Sequence, residues 1–131
     1  MILPKKIERT DMSYVDGFVV PVPSDKIEQY RVIAEKAKAV WLEHGALDYK
    51  ECVLEDNTEN EFCATFPKSF TIKPDETVVF AFITYKSREH RDEVNAKVHT
   101  DKRMNEMCGP DDMPFDCKRM AYGGFKTIVG D

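Results

Sequence analysis

From Ser13 to Val22 the β-forming residues Tyr14, Val15, Phe18, Val19, Val20 and Val22 dominate, and the run closes on Pro21 and Pro23. This pattern predicts a first strand, with Pro21 expected at its end or at an unpaired position because proline lacks the ladder donor. Ser24 or Asp25 is expected to cap a helix, with Glu28 three residues after Asp25 in capping-box register. Ile27, Tyr30, Ala34, Ala37 and Trp41 then recur at spacings of three and four. They draw one apolar stripe that ends near His44 and Gly45, where glycine can take the left-handed stop.

Leu47 to Leu54 alternates loosely and predicts a second strand, and the polar run 56–61 predicts an exposed loop. Phe62 to Pro67 reads as a short extra strand or an extended connection. The stretch Thr77 to Tyr85 is apolar at both odd and even positions, so a strand built from it has no face suited to water. Ser87 is expected to cap a second helix carrying Val94 and Val98, and Thr100 and Asp101 offer a fresh cap before a short helix with Met104 and Met107. Cys108, Gly109 and Pro110 end that helix, and a loop runs on to Asp116. Lys118 to Val129 predicts the last strand, where Gly123 and Gly124 mark a bulge or the close approach of another backbone.

The order is therefore βαββαβ, an α+β fold of ferredoxin-like type: a four-stranded antiparallel sheet with its helices on one face. Its free face would carry several large apolar side chains, each worth about 1.5–3 kcal/mol when buried. Their sum rivals a domain's net stability of about 5–15 kcal/mol, so the expected state is a homodimer with sheets face to face.

A chain of 131 residues fits one domain. Residues 1–11 hold Pro4, Lys5, Lys6, Glu8 and Arg9 without periodicity and read as a flexible extension, so the domain is taken as 12–131. Twenty-four acidic against 19 basic residues give a net charge of -5, the wrong sign for nucleic-acid binding. No apolar run approaches the ~20 residues of a membrane span. Cys52, Cys63, Cys108 and Cys117 lack metal-site spacing, and no secretory signal precedes them. Reduced thiols in the cytoplasm, with no metal and no cofactor, are the expectation.

Candidate chemistry is sparse. Asp16 stands among apolar residues on the first strand, either as a base with a raised pKa or as a carboxylate paired with Arg119 or bonded to backbone. Asp16, Arg119 and Tyr122 are the candidate catalytic residues. Tyr14, Trp41, Phe82 and Phe125 are candidates for an aromatic ligand pocket, although such rings more often form core. Glu51 and Cys52 adjoin on a strand and so face opposite ways. His44, His90 and His99 fall at or near helix ends or on a polar helix face, without catalytic or metal spacing. Arg88, Arg91, Lys97, Lys102 and Arg103 are interleaved with acids and read as a solvated face with local pairs.

Tyr14 to Val20, His44 to Leu47, Glu51-Cys52, Asn95 to Val98, and above all Met113 to Asp116 with Lys118 to Phe125 resemble the YbaA-like family of bacterial proteins. The resemblance runs from Met12 to the C terminus. It implies a ferredoxin-like protomer in the dimeric α+β barrel group and assigns no biochemical activity. Family members typically carry glycine where this chain has Cys117, and proline where it has Lys102. The wider barrel group includes cofactor-free monooxygenases, isomerases and haem enzymes, so the fold analogy spreads over many activities. The alternative expectation is thus a cofactor-independent enzyme acting on a small aromatic or enolisable molecule.

Overall fold

The computed structural model describes residues 13–107 and 113–130. The extension 1–11, the domain start at Met12 and the helix stop at Cys108 to Pro110 lie outside these residues. The first strand, β1 (Tyr14–Pro23), leads through a 3-10 turn at Ser24–Lys26 into α1 (Ile27–Glu43). There follow β2 (Asp48–Val53), a short α2 (Phe66–Ser69), β3 (Glu76–Tyr85), α3 (Arg88–His99), α4 (Lys102–Met107) and β4 (Ala121–Lys126). The strands form one antiparallel sheet in the order β2-β3-β1-β4. β1 and β3 hold its centre, paired from Tyr14 opposite Tyr85 to Pro23 opposite Glu76.

Register and pleat assign the faces. Tyr14, Asp16, Phe18, Val20 and Val22 of β1 lie on one face with Val79, Ala81, Ile83 and Tyr85 of β3 and with Tyr49 and Glu51 of β2. Ala37 and Val40 of α1 and Val94 and Val98 of α3 pack there, in one buried cluster with Tyr14, Ile83 and Tyr85. A second cluster joins Val20, Val22 and Val79 to Tyr30. The stripe expected on α1 is the buried one, with Val40 added to it. Gly45 ends α1 at φ 113°, and a hydrogen bond of 2.8 Å between the His44 ring and Asp101 ties that end to the junction of α3 and α4.

The opposite face carries Val15, Gly17, Val19 and Pro21 of β1, Val78, Phe80 and Phe82 of β3, and Phe125 of β4. Neither α1 nor α3 covers it. Phe80 is 45% exposed and Phe125 59%. Pro21 lies beyond Val19, the last β1 residue paired with β4, so its missing donor falls where β1 has only β3 beside it.

Four local expectations are corrected. No side chain caps α1, because the 3-10 turn takes the place of the capping box and Glu28 bonds Arg31 instead. The segment read as extended at Phe62 to Pro67 runs into α2, where the Lys68 amide donates to the Thr65 hydroxyl and the first turn holds Pro67. The last strand begins only at Ala121, because Asp116 accepts from the Lys118 amide and closes a 3-10 turn over Cys117–Arg119. The paired glycines are approached by side chains, the Tyr14 and Phe125 rings, rather than by the other backbone expected there. A Cβ on Gly124 would stand 2.5 Å from the Tyr14 hydroxyl, and one on Gly17 or Gly123 would press on the Phe125 ring.

Candidate functional site

Asp16 lies between Ile83 and Gly124 on the helix side of the sheet and is 1% exposed. Its Oδ1 accepts from Arg91 Nη1 at 3.0 Å and from the Tyr122 hydroxyl at 3.2 Å, and the same Arg91 nitrogen donates to the Tyr122 oxygen at 2.8 Å. The guanidinium lies over the Tyr14 ring, 4.9 Å from its centroid, a cation–π contact that holds the plane of the cluster. Arg91 Nε stands 2.8 Å from Asp92 Oδ1, close enough for charge attraction but not aligned as a hydrogen bond. Asn95 accepts from the Tyr85 hydroxyl at 3.3 Å and from Trp41 Nε1 at 3.2 Å, which ties α3 to the sheet and to α1. Burial, then the Asp16 charge, pushes both the Tyr85 and Tyr122 phenols above their ordinary pKa; at Tyr122 the Arg91 charge pulls the other way.

Asp16 and Tyr122 are thus brought together, and Arg119 is not with them. Arg119 Nη2 bonds Glu76 Oε1 at 2.8 Å and the Thr71 carbonyl at 3.2 Å. The ion partner of Asp16 is Arg91, which the sequence reading had placed on a solvated helix face. The four aromatic candidates divide between the two sides of the sheet. Tyr14 and Trp41 belong to the core beneath α1 and α3, whereas Phe82 and Phe125 lie on the face without those helices.

A cavity of about 510 Å³ lies elsewhere, between α1 and the edge strand β2. Ile27, Ala34, Val53 and Val79 supply apolar walls, and Glu51 stands in it between Tyr30 and Tyr49. None of Asp16, Arg119 or Tyr122 lines it. The Tyr30 hydroxyl donates to Glu51 Oε1, and the Tyr49 hydroxyl donates to Oε2 at 2.7 Å. Burial first, and then the Glu51 charge, raises the Tyr30 phenol far above its ordinary pKa. Sequence reasoning passed over this group. The available signal was Tyr49 two residues before Glu51, hence on the same face of β2, opposite the Tyr30 stripe of α1.

A smaller groove of about 250 Å³ on the other face is lined by Cys52, Phe66, Val78 and Phe80. Cys52 and Glu51 do face opposite ways. Among the described residues no cluster of His, Cys, Asp or Glu is arranged to hold a metal ion, and no helix is long and apolar enough to cross a membrane.

Residues 13–117 match the family described as protein of unknown function, DUF1428. The uncharacterized protein YbaA of Escherichia coli strain K12 is 44% identical over 120 residues, which span 92% of this chain and all of that protein. YbaA of Shigella flexneri matches to the same extent. Among solved structures, the de novo designed protein Foldit4 is similar over 90% of this chain and 99% of its own, at 11% identity and a TM-score of 0.41.

Proposed function

The chain belongs to the DUF1428 family of unknown function, and we propose from its own geometry that it acts as a homodimer joined through the face of the sheet that α1 and α3 leave open. The single observation that carries this reading is the apolar strip of Val15, Val19, Phe80, Phe82 and Phe125 on that face, with Phe80 and Phe125 about half exposed. A two-fold pairing of such strips buries the same rings on both copies, and a ring already half buried gains about half of the ~1.5–3 kcal/mol of full burial. The order β2-β3-β1-β4 with two helices on one side supports a ferredoxin-like protomer, and face-to-face pairing would make it a dimeric α+β barrel. Exposed, unpaired Cys52, Cys63 and Cys117 support a reducing compartment such as the bacterial cytoplasm.

Sedimentation equilibrium at micromolar concentration should give twice the chain mass for the parent protein, and the single mass for Phe80→Lys with its circular dichroism unchanged. A parent protein that sediments as a monomer would overturn the reading.

A second reading, a cofactor-independent enzyme of monooxygenase or isomerase type acting on a small aromatic or enolisable molecule, draws support from one observation. The buried Asp16 carboxylate touches the hydroxyl of Tyr122, whose ring is about half exposed. Turnover of such a molecule that disappears in Tyr122→Phe would support it. Turnover untouched by that change would reject the assignment.

A further inference from the structure

The groove between α1 and β2 sets an apolar wall against a carboxylate held between two phenols, with Glu28, Arg31, Glu35, Lys38 and Lys50 also among its lining. Both phenol protons beside Glu51 are committed to its carboxylate, one to each oxygen. Each oxygen retains a second acceptor position, so this pole can accept hydrogen bonds and has no donor of its own to offer. The two phenols that fix the carboxylate are each 9% exposed, which holds it in place before any ligand arrives. At the rim, Arg31 is occupied on both sides, by Glu28 at 2.9 Å and by Glu35 at 2.9 Å. Lys38 and Lys50 also line the groove, and both are exposed to solvent, whereas the Glu51 carboxylate is the charge held between the two phenols. About 510 Å³ falls within the range of small-molecule sites, roughly 300–1,000 Å³.

We infer that this groove binds a small molecule with a cationic, donor-rich head, a primary ammonium or a guanidinium, carried on an apolar body. The head pairs with Glu51, and the body lies against Ile27, Ala34, Val53 and Val79. A neutral or anionic molecule of the same shape lacks donors for the pole or is repelled by it. The groove is on the helix side of the sheet, so a partner seated on the opposite face leaves it open. The inference is independent of the homodimer.

The test uses 2-phenylethylamine, an ammonium ion at neutral pH, against phenylacetate, its anionic counterpart, followed by amide NMR shifts of the full chain. The ammonium is expected to shift residues 27–38 and 49–53 in a saturable way at millimolar concentration, as befits so small a probe, and phenylacetate is expected to shift none of them. Glu51→Gln should weaken the ammonium at least about tenfold. Ala34→Met, which keeps Glu51 and fills the groove, should abolish saturation, and it serves if the Glu51 variant does not fold. Equal binding of phenylacetate, retained affinity in both variants, or no saturable shift in the parent protein would each overturn the inference.

Discussion

Asp16 of β1 and Arg91 of α3, 75 residues apart in sequence, meet at 3.0 Å with side chains only 2% and 12% exposed. A buried ion pair adds little net stability, because desolvation of both charges offsets their attraction, but removing one partner leaves the other charge unpaired. Together with Tyr122 and Tyr14, the pair fixes α3 to the sheet at β1 and β4. Arg91→Leu should therefore destabilise the protein by about 3–5 kcal/mol. The double change Asp16→Leu with Arg91→Leu should cost less than the single one. Urea unfolding of the three proteins decides this; a double variant less stable than Arg91→Leu would contradict the account.

Gly124 holds its place because Tyr14 lies against it. The 2.5 Å from a Cβ there to the Tyr14 hydroxyl is far inside any nonbonded carbon–oxygen contact, and the ring carbons follow at 2.9 and 3.0 Å. Tyr14 is itself packed in the core and beneath Arg91, so its ring has little room to retreat. Gly124→Ala should cost about 1–3 kcal/mol. Tyr14→Phe in the same chain should recover part of that loss, since it removes the nearest atom and leaves the ring edge. Thermal melting of the single and double variants measures the recovery, and no recovery would show that the clash lies elsewhere.

Much of the fold was legible because it rests on local periodicity. The two-faced apolar run of β3 and the stripe of α1 need no distant information, and both fall within a residue or two of the expected bounds. The partner of Asp16 was not legible in that way, since charge patterning along α3 suggests pairs within the helix. Yet Arg91, Val94 and Val98 are spaced three and four apart. That places Arg91 on the buried stripe, and its long stem can cross the core edge while its head finds a carboxylate. The aromatic candidates were divided between faces by strand parity, which puts Phe82 opposite Gly17 and Tyr14 opposite Tyr85. The Glu51 group was missed because a tyrosine on a helix stripe reads as core, and only the fold brings its hydroxyl to β2.

Arg119 has a structural role that pH should expose. Its hydrogen bonds are the main cause holding the Glu76 carboxyl below its usual pKa, against burial and with help from the Lys73 amide. A carboxyl whose pKa falls on folding adds stability above its unfolded value, and that stability is lost as pH falls through the folded value. Arg119→Met should therefore be less stable than the parent at neutral pH, and the gap should narrow as pH drops below the ordinary carboxylate range. Urea midpoints at neutral and acidic pH give the comparison; a gap of constant size would rule out the linkage.

At the alkaline end the sign reverses in its consequence. Burial, and then the carboxylates Glu51 and Asp16, raise the Tyr30 and Tyr85 phenols above their ordinary value, so the folded chain holds protons that the unfolded chain releases. Their contribution is complete below the unfolded phenol pKa of about 10 and is lost as pH climbs from there toward the folded values. The absorbance owed to Tyr30 and Tyr85, read as the difference between the parent and the variants Tyr30→Phe and Tyr85→Phe, should lag behind that of a free phenol and then rise together with loss of the native circular dichroism. Tyr85→Phe removes one linked proton, so the fall of stability with pH above about 10 should become shallower, whatever the variant loses at neutral pH through its missing bond to Asn95. A difference absorbance that rises at the free-phenol pKa with the fold intact would mean that the Tyr30 and Tyr85 hydroxyls are open to solvent, and the closed arrangements around Glu51 and Asp16 would fail with it.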